Sequence, residues 1–173
     1  MTLFSSLPAA QGLYNPADEH DACGVAMIAT LKKEATHEIV SQALTALRNL
    51  EHRGASGSEP DSGDGAGILI RIPDEFFRSE VEFELPPVGS YATGIAFIDK
   101  DFDDLPGVVQ IATEEGLTIL GWRELPTNDS SLGTTALSVM PRFVQLFISG
   151  KNGEQDLALD RLAFVFRKRV EHA

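Results

Sequence analysis

Short apolar runs of strand length alternate along this chain with segments whose apolar residues recur at helical spacing. The predicted strands are residues 23–31, 68–72, 91–98, 117–122 and 143–148. Helical periodicity marks residues 36–50, 108–116 and 159–170, and a shorter helix is expected from Pro73 to Arg78. Interleaved strands and helices must bury their apolar faces against one another, so the pattern predicts a layered α+β or α/β fold.

The first helix has the clearest pattern. Its apolar positions lie on one face: Ile39, Val40, Ala43, Leu44, Leu47 and Leu50. Thr36 is the predicted N-cap and Gly54 the predicted stop. One apolar face predicts that this helix lies on the strand formed by residues 23–31.

Length and charge exclude several kinds of partner. A chain of 173 residues has room for one full domain. The net charge of −12 argues against binding to nucleic acid or to anionic membranes, which need a basic surface. No apolar stretch is long enough to span a bilayer. A single cysteine and no basic n-region at the start favour a cytoplasmic protein.

Cys23 is the only cysteine, and it follows a polar, irregular leader at the head of an apolar run. Gly24 leaves room for another group to approach the sulfur. A lone cysteine is more often a small buried hydrophobe than a nucleophile, so the residue by itself leaves both interpretations open. Activation by His20 or His52 is one route to a nucleophile. Cleavage after Ala22 is another, because the new α-amine would titrate near 7.7 and could serve as the base.

Other site chemistries fit poorly. The glycine-rich loop at 54–67 lacks the Lys-Ser/Thr ending of a phosphate-binding loop and precedes a predicted strand. Asp61 and Asp64 are not accompanied by the remaining acids of a calcium loop. The four histidines, His20, His37, His52 and His172, show no metal-ligand spacing. We therefore expect neither a phosphate site nor a metal site.

Three motifs, in order, resemble the amino-terminal region of glutamate synthase large subunits. They are residues 12–25 (GLYNPADEHDACGV), 50–55 (LEHRGA) and 62–69 (SGDGAGIL). Residues 120–123, 145–148 and 164–171 are also similar to that family, so the likeness covers nearly the whole chain. The region is a class II glutamine amidotransferase domain of the N-terminal nucleophile (Ntn) hydrolase type.

The resemblance implies a four-layer αββα sandwich and two parts: a leader at 1–22 and the amino-terminal part of the amidotransferase domain at 23–173. Removal of the leader would free Cys23 to attack the side-chain amide of L-glutamine, releasing ammonia and then glutamate. The full enzyme would pass the ammonia to 2-oxoglutarate, using FMN and an iron–sulfur cluster held outside this chain. The implied partners are the remainder of the large subunit and a small subunit.

The resemblance also implies site residues around the nucleophile. Arg53 would orient Cys23, although a structural arginine at a helix end fits it nearly as well, and Gly24 and Asp64 would shape the site. The family's domain continues beyond this sequence, where its oxyanion-hole Asn-Gly pair lies. Asn152-Gly153 sits in a turn without the family's flanking residues, so we do not accept it as a substitute.

Two expectations follow from that difference in length. As an incomplete domain, this chain alone should have little or no glutaminase activity, because losing an oxyanion donor costs about a hundredfold to a thousandfold in rate. Open sheet edges should favour association. The alternative function is a non-catalytic, partner-binding or vestigial module, which predicts an uncut leader and an inert Cys23.

Overall fold

The structure is a computed structural model that describes residues 9–13, 15, 23–32, 34–51, 59, 63 and 65–173. It divides into two compact units, residues 1–70 and 71–173. Each unit is described below by itself.

The described part of the first unit contains one helix, α1 (His37–Asn49). Thr36 precedes it in an extended conformation, as predicted, although its side chain makes no capping hydrogen bond. The helix ends at Leu50, whose N–H donates to the carbonyls of Ala46 and Leu47. The predicted stop, Gly54, lies outside the described residues.

Two predicted strands in this part of the chain are wrong. Residues 23–31 and 68–72 have no regular secondary structure. The side chains of Val25 and Leu69 are almost fully exposed, at 93% and 101%. A strand needs a neighbouring strand for its backbone N–H and C=O groups, and all described strands lie between residues 92 and 150. The predicted packing of α1 on a first strand therefore does not form.

The second unit holds the other described elements, and all of them except α4 correspond to predicted elements. They are α2 (Asp74–Glu80), β1 (Ala92–Ile98), α3 (Leu105–Glu114), β2 (Leu117–Glu124), α4 (Thr134–Val139), β3 (Arg142–Gly150) and α5 (Asp156–Val170). Helix α3 begins three residues before its predicted start, because the Asp104 carboxylate accepts a hydrogen bond from the N–H of Gly107 and Pro106 suits the first turn. A mixture of helices with a small antiparallel sheet agrees with the predicted α+β class.

Strand β3 lies at the centre of the three-stranded sheet, whose order is β1-β3-β2. It runs antiparallel to both neighbours, with Ala92 opposite Ile148 and Leu117 opposite Gly150. Strands β1 and β2 are therefore parallel to each other, and α3 connects them across the face of the sheet. Pairing on both edges satisfies the backbone groups of β3.

Alternate side chains of β3 enter two separate apolar cores. The first core, which we call the helix-side core, lies under α3 and α5 and contains Val108, Ala112, Leu117, Ile148, Leu159 and Phe166. The second, the far-side core, contains Phe77, Leu85, Tyr91 and Phe147. Phe147 and Ile148 are consecutive and only 0% and 5% exposed, so this strand is buried on both faces.

A β-bulge in β2 lets this edge strand contribute to both cores. The pairing with β3 shifts between Ile119 and Gly121, which leaves Leu120 as an extra residue. Ile119 and Trp122 consequently both pack against the helix-side core, while Leu120 packs against the far-side core. On the far side, the Phe83 ring lies directly against the Cα of Gly121.

We predict that Gly121→Ala destabilises the second unit by about 1–3 kcal/mol, because a Cβ at this position would overlap the Phe83 ring and force it out of the far-side core. Urea unfolding followed by tryptophan fluorescence measures the change. The matched control is Gly94→Ala in β1, where no heavy atom lies within 4 Å of an added Cβ. Equal stability of the two variants would contradict the assigned packing.

A polar clamp joins α2 to the segment that leads into β1. The Arg78 guanidinium donates to the Asp74 carboxylate, with a distance of 2.9 Å between Nε and Oδ2, and also to the carbonyls of Leu85 and Pro86. The Tyr91 hydroxyl donates to Asp74 Oδ1 at 2.9 Å. Burial, together with the Asp74 carboxylate, raises the pKa of Tyr91 to about 12. The hydrogen bond from Arg78 lowers the pKa of Asp74 below its usual 3.8.

Because the pKa of Asp74 is lower in the folded state than in the unfolded state, the ionised carboxylate stabilises the fold. This stabilisation is fully present above the unfolded-state pKa and is lost as the pH falls through the folded-state pKa. We therefore predict that the wild type is more stable than Asp74→Asn at pH 6 and that this difference shrinks below about pH 3.8. Urea unfolding at several pH values between 6 and 2 gives the free energies. Asp160→Asn, at an exposed site without an ion pair among the described residues, serves as the control. A difference that stays constant with pH would contradict the clamp.

Candidate functional site

Cys23 is exposed at the start of an irregular segment that runs to Thr30. The prediction of a thiol at the end of a buried strand is therefore wrong about the strand. The alternative, a small hydrophobe packed into a core, does not fit either, because the side chain is open to solvent. An exposed thiol is the arrangement that reaction with an external electrophile requires.

Gly24 lies against the end of α1. A Cβ on Gly24 would stand 3.1–3.3 Å from the Cβ and the two methyl carbons of Leu50. The space beside Gly24 is therefore taken by Leu50, and the predicted approach of another group to the Cys23 sulfur stays a prediction. Because Leu50 opens the second sequence motif, the structure brings the first two motifs together at this contact.

We predict that Gly24→Ala lowers the free energy of unfolding by about 1 kcal/mol, because Leu50 must move to admit a methyl group beside Cys23. Calorimetry or urea unfolding measures the difference from the wild type. Gly67→Ala is the control, because no heavy atom lies within 4 Å of a Cβ there. If both variants unfold alike, Leu50 does not restrict the position of Gly24.

The other predicted site residues, Arg53 and Asp64, lie outside the described residues, as do His20 and His52. Their roles stay predictions. The sequence reasoning missed the contact between Gly24 and Leu50, although it named Leu50 both as the last apolar residue of the helix and as part of a motif. The signal that could have found it is the position of Leu50 at the head of the LEHRGA motif.

Asn152-Gly153 has a structural explanation. Gly153 has φ +78°, which glycine adopts most readily, in the turn between β3 and α5. The Asn152 side-chain amide donates to Glu154 Oε1 at 3.0 Å, and its backbone N–H donates to Glu154 Oε2, also at 3.0 Å. The backbone N–H and the side-chain amide of Asn152 thus both donate within the turn, which gives this dipeptide a structural role.

A polar cluster on the far face of the sheet was also missed. Arg123 Nη2 lies 2.8 Å from Glu80 Oε2, and Arg123 Nη1 lies 3.4 Å from Gln145 Oε1. The Arg123 guanidinium stands over the Phe76 ring, 5.6 Å from its centroid. Gln145 is only 5% exposed. Strand alternation was the available signal, because Arg123 and Gln145 face away from the helix-side core.

Three further properties of the described residues concern metal binding, membrane spanning and a surface cleft. Among the described residues, no group of three or more His, Cys, Asp or Glu side chains could hold a metal ion. No helix in the described ranges combines the length and apolar character needed to cross a bilayer. A cleft of about 410 Å³ in the second unit is lined by residues 99–102, which follow β1, and by residues 138–141, which are the end of α4 and the two residues after it.

Residues 23–173 match the sequence profile of the family described as glutamine amidotransferases class-II. The chain therefore belongs to the class II glutamine amidotransferases. The match begins at Cys23, the exposed thiol described above.

Within that class, the chain is similar to glutamate synthases. It is 41% identical to the glutamate synthase [NADPH] large chain of Bacillus subtilis over 98% of its length. It is 37% identical to glutamate synthase [NADH] of Schizosaccharomyces pombe over 96%, and 35% identical to the chloroplastic ferredoxin-dependent glutamate synthase of Spinacia oleracea over 98%. The chain spans 12%, 8% and 11% of the lengths of these relatives.

Proposed function

We propose that this chain is the glutaminase region of a glutamate synthase large subunit, with Cys23 as its nucleophile. One observation carries the proposal: the family match begins at residue 23, and this residue is the chain's only cysteine and is exposed. The similarity to glutamate synthases of bacterial, fungal and plant origin supports the proposed enzyme context.

The proposed chemistry begins with removal of residues 1–22, which converts the backbone nitrogen of Cys23 into an α-amine. This amine accepts the thiol proton, and the thiolate attacks the side-chain carbonyl carbon of L-glutamine. The amine then returns the proton to the leaving nitrogen, so that ammonia departs and a glutamyl thioester remains. Water adds to the thioester, releasing glutamate and restoring the thiol.

The residues around Cys23 would position these groups. We propose that Arg53 orients the amino-terminal cysteine and that Asp64 shapes the base of the site. Gly24 would let the backbone beside the nucleophile approach the end of α1, and the 3.1 Å that would separate an added Cβ from Leu50 supports this role. The oxyanion donor would come from a part of the domain beyond these residues, since Asn152 already bonds to Glu154.

We propose the four-layer αββα sandwich as the fold of the complete domain. In this arrangement α3 and α5 form one outer layer, and the sheet of β1, β3 and β2 forms the adjacent layer. Ile95 and Phe97 support the proposal, because they point to the far side of that sheet and are 53% and 70% exposed. A second sheet over this face would remove them from water.

The cofactors of the whole enzyme do not fit the residues of this chain. An iron–sulfur cluster needs several thiolates, and the chain has one cysteine. We therefore place FMN and the iron–sulfur cluster in other regions of the large subunit, together with the site for 2-oxoglutarate. A small subunit is the proposed partner, and the cytoplasm is the proposed location.

We predict that Cys23→Ala lowers glutamine-dependent activity of the full-length polypeptide by at least about a thousandfold, because the nucleophile is removed. Activity with added ammonia is the matched control, since ammonia bypasses the glutaminase step. Amino-terminal sequencing of the wild type should show chains that begin at Cys23, and a glutamine-like electrophile should label that residue. An uncut leader with full glutaminase activity, or a Cys23→Ala variant that keeps this activity, would overturn the proposal and favour a non-catalytic module.

A further inference from the structure

The solvent-exposed side of helix α5 carries large apolar side chains. A helix that packs over a core normally presents polar side chains to water. Leu159 and Phe166 point into the helix-side core and are 2% and 5% exposed. On the opposite side, Leu157 and Phe164 are 60% and 58% exposed. A helix that packs by one face should place polar side chains on the other, so two large apolar side chains there require an explanation.

Four residues form a line along this exposed side: Leu157, Arg161, Phe164 and Lys168. Their spacing of four, three and four residues places them within about 60° of one another around the helix axis. We call these residues the α5 stripe. Apolar and basic side chains alternate along it at the spacing by which two helices pack side by side.

The charge of α5 differs from that of the rest of the chain. The helix carries four of the chain's fourteen lysines and arginines but only two of its twenty-six acidic residues. Lys168 Nζ lies 2.5 Å from Glu171 Oε2, and the Arg167 guanidinium lies 5.4 Å from the centroid of the Phe164 ring. Arg161 forms no ion pair with any other described residue. An exposed basic and apolar line in a chain with a net charge of −12 points to a binding surface.

We propose that the α5 stripe binds an amphipathic helix whose apolar residues are interspersed with carboxylates, supplied by another part of the longer polypeptide. Such a helix could place apolar residues against Leu157 and Phe164 and carboxylates against Arg161 and Lys168. A symmetric contact with a second copy would supply no carboxylates to Arg161 and Lys168, because the α5 stripe contains none.

The relatives are much longer than this chain, which spans only 8–12% of their lengths. We therefore assign the proposed partner helix to another part of the longer polypeptide. The inference therefore rests on the part of the proposed function that places this chain in a large subunit. It does not depend on the chemistry of Cys23.

The test uses the full-length polypeptide and needs no variant for its first step. A carbodiimide joins an amine to a carboxylate only where the two are in contact. We expect it to couple Lys168 Nζ to an Asp or Glu of a predicted helix outside this chain's sequence. Mixing isotope-labelled and unlabelled copies distinguishes couplings within one polypeptide from couplings between copies. Coupling confined to this chain, such as Lys168 with Glu171, or coupling only between copies, would overturn the proposal.

Hydroxyl-radical labelling of Phe164 supplies an independent measurement. We expect labelling in the native polypeptide to be at least about fivefold lower than in the unfolded one, because a bound helix would cover the ring. The double variant R161E/K168E should abolish that protection, while R161K/K168R, which keeps both charges, should retain it. Native labelling equal to the unfolded level would refute the proposal. The rate of ammonia release in the same samples reports separately on the proposed glutaminase function.

Discussion

Double-sided burial of β3 is the interaction on which the described second unit depends. Phe147 and Ile148 stand on opposite faces of one strand, and each enters a different core. Because β3 also provides the hydrogen-bonding partners of both β1 and β2, neither edge strand has a sheet without it. Helix α5 packs against β3 and helix α3 packs against β2, so the two helices form a layer on one face of the sheet.

The proposed nucleophile lies in a different part of the sequence from the described sheet. The exposed Cys23 and the contact between Gly24 and Leu50 lie in the first unit, whereas the described sheet lies in the second. The membership in the class II glutamine amidotransferases covers both, from residue 23 to residue 173. An exposed cysteine on irregular backbone near a helix end agrees with the general tendency of sites to lie outside the regular elements that support them.

Local sequence patterns predicted strands correctly where a neighbouring strand lies among the described residues. The strands near residues 91–98, 117–122 and 143–148 formed as predicted, because each is an apolar run with a neighbour in the same sheet. Residues 23–31 and 68–72 have similar apolar runs and remain irregular. Period and composition measure the tendency of a segment to be buried, but a strand also needs hydrogen-bonding neighbours that the segment itself cannot supply.

The sequence by itself determined the described helices other than α4, three of the predicted strands, the α+β class and the family, because these depend on local periodicity and short motifs. Only the tertiary structure decided that Cys23 is exposed, that Gly24 meets Leu50, and that the bulge at Leu120 turns β2 toward both cores. It also showed that Asn152 is occupied by Glu154. These features depend on contacts between segments, and such contacts are set by how faces pack together rather than by any single segment's pattern.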